Sequence, residues 1–158
     1  MARDSKNLID TTMIPKEGLA LCPLDGRYSQ ISEKLAPYFS EYALVKNRVR
    51  VEVMWLRFLL ENVKDSDILD TFDMNRLPEI MAIYDDFSGA SYVRVKEIEA
   101  VTNHDVKAVE LFVAEKLKEI GLDNLVSFVH IGCTSEDITN PSYANMISTA
   151  LSDVWIPA

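Results

Sequence analysis

Three short stretches of this chain combine residue types that can hold an anion. In Asp25-Gly-Arg-Tyr28, a turn sets a guanidinium beside a phenol. Arginine forks two N–H groups onto a phosphate or carboxylate, and tyrosine adds a further donor. Thr102-Asn-His-Asp105 and Thr134-Ser-Glu-Asp137 each place a hydroxyl three residues ahead of an acid. That spacing is a capping box, which opens a helix and caps it through Thr102 or Thr134. The free N–H groups of a helix start favour anions, and the imidazole of His104 can exchange a proton with a ligand. Taken singly, the stretches read as an exposed turn and two caps. Taken together, they point to a small, multiply charged ligand. His130, four residues before Thr134, reads as a satisfied core histidine, and Cys133 as a small packing residue.

Other chemistries are missing from the sequence. The two histidines lie 26 positions apart, and neither cysteine stands at zinc-ligand spacing from them. There is no P-loop, no Gly-x-Ser-x-Gly elbow and no dinucleotide-binding glycine fingerprint. The chain carries 16 Lys and Arg against 25 Asp and Glu, a net charge of −9. Such a balance argues against a nucleic-acid partner. Two cysteines are too few for a disulfide framework, which suits a reduced interior. No apolar run approaches the roughly 20 residues of a membrane span, and the charged start does not resemble a secretory signal. A cytoplasmic protein with no membrane partner is expected.

The elements that must position these stretches are helices. Residues 40–63 carry Val45, Val49, Val53, Leu56, Leu60 and Val63 at steps of three and four. A short helical stretch is expected at Ser32–Ala36, stopped near Pro37. Asp73 or Asn75 caps a helix with Pro78 in its first turns and a buried face of Leu77, Ile80, Met81, Tyr84 and Phe87. Tyr92–Val101 places Val95, Ile98 and Val101 at helical spacing. A helix from Thr102 to about Ile120 buries Val106, Val109, Val113, Leu117 and Ile120, with Gly121 just past its end. The last helix shows Tyr143, Met146, Ile147, Ala150, Leu151 and Val154 as its apolar face. The fold class is therefore all-α. The expected division is an arm over 1–20, a helical domain over 21–134, and the start of a bundle helix over 135–158. Because that helix still carries Trp155 and Ile156 in its final turn, the chain reads as the front piece of a longer protein.

At the three anion stretches the chain resembles the adenylosuccinate lyase family, over roughly Leu21 to the end. Pro23-Leu-Asp-Gly-Arg-Tyr28 is similar to that family's N-terminal Pro-x-Asp-Gly-Arg-Tyr. Phe39–Lys46 and Val51–Trp55 resemble its first long helix. Thr102-Asn-His-Asp-Val-Lys-Ala-Val-Glu110 and His130-Ile-Gly-Cys-Thr-Ser-Glu-Asp-Ile138 resemble two of its site segments. The resemblance implies a largely helical fold of the fumarase/aspartase superfamily and a homotetramer whose sites draw on several subunits. It implies a carbon–nitrogen lyase of purine and AMP biosynthesis. Such an enzyme cleaves adenylosuccinate to AMP and fumarate, and cleaves the succinyl-carboxamide ribotide likewise, without metal or other cofactor. It further implies that Arg27 and Tyr28 hold the nucleotide phosphate. Asn103, His104 and Asp105 would line the nucleotide and succinyl pocket, and Thr134 and Ser135 would bind the succinyl or fumarate part. The family's catalytic acid lies in a Thr-His stretch beyond the Thr-Ser segment, and its base in a Ser-Ser-x-Met-Pro-x-Lys loop. Neither occurs here, so this chain should hold no catalytic acid or base, with His104 in a supporting role at most, and should be inactive alone. Two alternatives stand beside this one. One is a naturally shortened, non-catalytic module that binds AMP or assembles with other subunits. The other is a different superfamily member, such as argininosuccinate lyase.

Overall fold

Ser40 opens the longest helix by turning its hydroxyl onto the N–H of Ala43, 3.2 Å away. This helix is α3 (Glu41–Asn62, 22 residues). The short turns before it are α1 (Ser29–Ser32), a 3-10 turn at Glu33–Leu35, and α2 (Ala36–Phe39). The computed structural model describes residues 22–64 and 67–157. The arm expected over 1–20 lies outside those residues. Two compact units divide the chain, Met1–Ala36 and Pro37–Ala158.

Beyond α3 come α4 (Asp67–Asp70), α5 (Leu77–Asp85), α6 (Gly89–Thr102), α7 (Asp105–Glu119) and α8 (Ser135–Ala150). The described residues contain no strand, and the fold is all-α. The apolar stripe of α3 is the spine of the core. Val45, Val49, Val53, Leu56 and Leu60 are all buried, each worth about 1.5–3 kcal/mol of burial. They meet Ile80 and Ile83 of α5, Val95 and Ile98 of α6, and Val109, Phe112 and Leu117 of α7. Phe87 sets its ring edge-on to Phe112, centroids 5.7 Å apart, and Tyr42 tilts over Phe87 while donating its hydroxyl to the Phe87 carbonyl.

The helix ends follow local chemistry. Asp73 accepts from the Asn75 N–H and opens a 3-10 turn that runs into α5, with Pro78 in the first turn. Ser88 and Ser91 cap α6 reciprocally. α7 closes in a Schellman arrangement: Leu122 N–H reaches the Leu117 carbonyl, Gly121 N–H reaches Lys118, and Gly121 takes φ +70°. A 3-10 segment, Asp123–Phe128, leads towards α8.

Sequence expectations are corrected at Pro37 and on α8. Pro37 does not stop the helical path, because it falls in the first turn of α2, where its missing N–H costs nothing. Of the three residues at helical spacing on α6, Val95 and Ile98 are buried but Val101 is 87% exposed, since it lies about 120° around the helix from Val95. α8 buries Ile138, Ser142, Met146 and Ala150, so Tyr143, Ile147 and Leu151 form the neighbouring, exposed row. Its continuation widens into a π turn over Leu151–Trp155, with Trp155 and Ile156 exposed.

Candidate functional site

In the Met1–Ala36 unit, backbone bonds from Asp25 N–H to Cys22, Tyr28 N–H to Pro23 and Ser29 N–H to Gly26 close the turn that carries Arg27 and Tyr28. Both side chains are exposed, and the guanidinium carbon stands 5.5 Å from the Tyr28 ring centroid. The two therefore form one surface group with a cation over an aromatic face.

In the Pro37–Ala158 unit, the second stretch is a joint between helices. Asn103 ends α6 in the left-handed conformation (φ +52°), and the next residue opens α7. Asparagine suits that position because its short polar side chain tolerates it. The cap of α7 is His104, not Thr102: His104 Nδ1 accepts the Lys107 N–H at 3.1 Å. Thr102 belongs to the last turn of α6 instead. Because Nδ1 must be an acceptor here, the ring proton sits on Nε2, which has no partner among the described residues. Asn103 and His104 are both exposed.

Asp105 is anchored from α3. The Arg48 guanidinium, 8% exposed, donates to its carboxylate at 2.6 Å, and the Val106 N–H donates to the other oxygen at 2.9 Å. Partial burial pushes the Asp105 carboxyl up, but the Arg48 bond and charge outweigh it and hold the group below its ordinary value.

One turn further along α3, Glu52 is fully buried and lies 2.6 Å from His130 Nδ1. Burial raises the Glu52 carboxyl, and His130 offsets part of that rise. Next on the same face, Trp55 Nε1 donates to the Ile131 carbonyl at 2.9 Å. Arg48 and Glu52 stand about 6 Å apart along the axis. A single stretch of α3 therefore brings the 103–105 joint and the 130–134 loop to the same side of the helix. His130 is thus held from the core at Nδ1, while its Nε2 has no partner among the described residues.

The third stretch starts α8. Thr134 donates both its N–H (2.7 Å) and its hydroxyl (3.1 Å) to the Asp137 carboxylate. Those bonds hold the Asp137 carboxyl below its ordinary value. Thr134 is thus occupied as a cap. The half-buried Ser135 hydroxyl has no partner among the described residues and remains available as a donor. α8 then returns along α3, and Asn145 donates to Asn47 at 2.6 Å. Between the two helices lies a groove of about 520 Å³, lined mainly by Met54, Trp55, Phe58, Ile138 and Pro141. Cys133 stands at its edge, its thiol raised first by burial and then by Glu52 and Asp137.

In the Pro37–Ala158 unit the unpartnered donors at these stretches are an amide, an imidazole N–H and a serine hydroxyl, and each suits a hydrogen-bonding ligand. In the Met1–Ala36 unit the guanidinium and the phenol by themselves suit an anion. Among the described residues no three His, Cys, Asp or Glu side chains gather as a metal site. No helix there is long and apolar enough to cross a membrane. Sequence reading missed Arg48 and Glu52. The available signal was two charged residues four apart inside the apolar stripe of α3.

Comparison with known proteins gives one consistent result. The chain is 45% identical over 139 residues to an adenylosuccinate lyase of Haemophilus influenzae and equally to that of Escherichia coli. It is 40% identical over 151 residues to the adenylosuccinate lyase of Buchnera aphidicola. The first two matches cover 87% of this chain but 30% of each relative, and the third covers 92% and 31%. No protein-family model matches.

Proposed function

We propose that this chain, a homologue of the adenylosuccinate lyases over 30% of their length, forms the substrate-binding front portion of such a lyase. The observation that carries this reading is the anchoring of two donor-rich stretches on one turn of α3. Arg48 holds Asp105 and Glu52 holds His130. Both stretches lie within sequence that matches the lyases. The donors left free by that anchoring suit an anionic substrate.

The reaction is a β-elimination. A base removes a proton from the carbon next to a succinyl carboxylate, the C–N bond breaks, and its electron pair leaves with nitrogen, which an acid protonates. Adenylosuccinate then yields AMP and fumarate, and the succinyl-carboxamide ribotide is cleaved in the same way. Negative charge builds on the carboxylate as it takes aci-form, and preset donors lower that barrier. In this reading Ser135 and the α8 start receive the succinyl part, with Thr134 setting that helix start through its cap on Asp137. Asn103, His104 and Asp105 line the pocket, and His104 offers its Nε2 proton. Arg27 and Tyr28 take the nucleotide phosphate. The acid and base come from segments this chain does not contain, within a cytoplasmic homotetramer that needs no cofactor. The exposed row Tyr143, Ile147 and Leu151 supports further helices packing there.

Two measurements test this reading. The purified chain should show no turnover of adenylosuccinate, and sustained turnover would overturn the assignment. AMP titrated into the chain should bind through Arg27, with Arg27→Ala weakening it about ten-fold or more. Unchanged AMP binding in that variant would remove Arg27 from the site.

A further inference from the structure

Glu52 is an expensive residue where it stands. It is fully buried on α3, one carboxylate oxygen meets His130 Nδ1 at 2.6 Å, and the other has no partner among the described residues. An apolar side chain of similar size would fill such a position at lower cost. What Glu52 holds is itself held under strain. His130 adopts a left-handed backbone (φ +61°), followed two residues later by Gly132 (φ +73°). A non-glycine residue keeps that conformation when its surroundings fix it. The fixing contacts are Glu52 on the ring, Trp55 on the Ile131 carbonyl, and the Cys133 N–H on the His130 carbonyl at 3.1 Å. Directly after this turn come Thr134 and Ser135.

We propose that Glu52 is a positioning residue: by accepting the hydrogen bond from His130 Nδ1–H, it holds the imidazole, and the turn that leads into Thr134 and Ser135, in one arrangement. With Nδ1 committed to Glu52, Nε2 is the ring nitrogen left for a ligand. It accepts when the ring is neutral, and it donates when an anionic ligand favours the doubly protonated ring. The ionisable groups around this pair are Glu110 from α7, Cys133 in the turn and Asp137 from α8. The ligand this arrangement serves rests on the lyase reading above; the arrangement itself does not.

The two histidines of the chain are thereby assigned opposite neutral tautomers. His130 carries its proton on Nδ1, and His104, whose Nδ1 caps α7, carries it on Nε2. Imidazole ¹⁵N correlation spectra of the labelled chain, recorded with the rings neutral and assigned with His104→Asn, read this directly. Expected is Nδ1–H at His130 in the wild-type chain. Glu52→Gln should retain that form, because its carbonyl can still accept. Glu52→Leu should convert His130 to the Nε2–H form and broaden or shift the amides of residues 131–135. An Nε2–H tautomer at His130 in the wild-type chain overturns the proposal with no variant needed. So does an unchanged Nδ1–H form in folded Glu52→Leu. A fumarate titration of the Ser135 amide is read separately, and no shift there counts against the lyase reading alone.

Discussion

Arg48 and Asp105 form a one-sided ion pair, with the guanidinium buried and the carboxylate half exposed (8% and 52%). Removing the exposed partner leaves a buried charge unpaired, so Asp105→Ala should cost more than its exposure suggests. Expected is a loss of about 1–2 kcal/mol in urea unfolding at neutral pH. The pH dependence follows from the lowered Asp105 carboxyl. A group lowered in the folded state stabilises above its unfolded value of 3.8 and ceases to as pH falls through the folded value. The gap between wild type and Asp105→Ala should therefore close as pH falls below 3.8. A gap that persists there would assign the loss to packing. Neither Arg48 nor Glu52 was legible from periodicity, because a stripe is found by counting apolar residues and these two charges interrupt it. Their partners lie 57 and 78 residues away in the chain, a distance over which spacing carries no information.

At the scale of elements, the ends proved less legible than the helices. α3 followed from length and stripe, and the closure of α7 at Gly121 from the need for a left-handed residue. The opening of α7 did not. The Thr-x-x-Asp spacing pointed to Thr102, but the left-handed turn at Asn103 moves the start by two residues and gives the cap to His104. On α8, counting apolar residues found Met146 and Ala150 of the packed row, but it also took in the exposed Tyr143, Ile147 and Leu151 beside them and passed over the polar Ser142. The cap at His104 makes a separable prediction. His104→Ala should lower stability by about 1 kcal/mol, as loss of a side-chain cap does. His104→Asn should restore most of it, because asparagine also accepts at that position. If His104 also meets a ligand through Nε2, His104→Asn should remain stable yet bind more weakly. Thermal unfolding of the two variants checks the cap, and ligand titration checks the second role.

For the whole molecule, the fold class and the order of the helices were readable from pattern, whereas the covered and open faces were not. Tyr143, Ile147, Leu151, Trp155 and Ile156 are 45–77% exposed along α8 and the π turn. A contiguous apolar surface of that kind drives association. Sedimentation velocity should show concentration-dependent self-association of the chain, and Ile147→Lys with Trp155→Glu should suppress it while the helical circular dichroism stays unchanged. A monomer at all concentrations would mean that this face needs no cover.

The lyase assignment is tested most directly by a chimera. This chain would replace the matching segment of the Escherichia coli adenylosuccinate lyase, to which it is 45% identical over 139 residues. The purified, assembled chimera should cleave adenylosuccinate, and Arg27→Ala or His104→Ala within it should reduce kcat/KM by about ten-fold or more. A chimera that assembles normally yet cleaves nothing, or one indifferent to both substitutions, would contradict the reading of this chain as a substrate-binding wall.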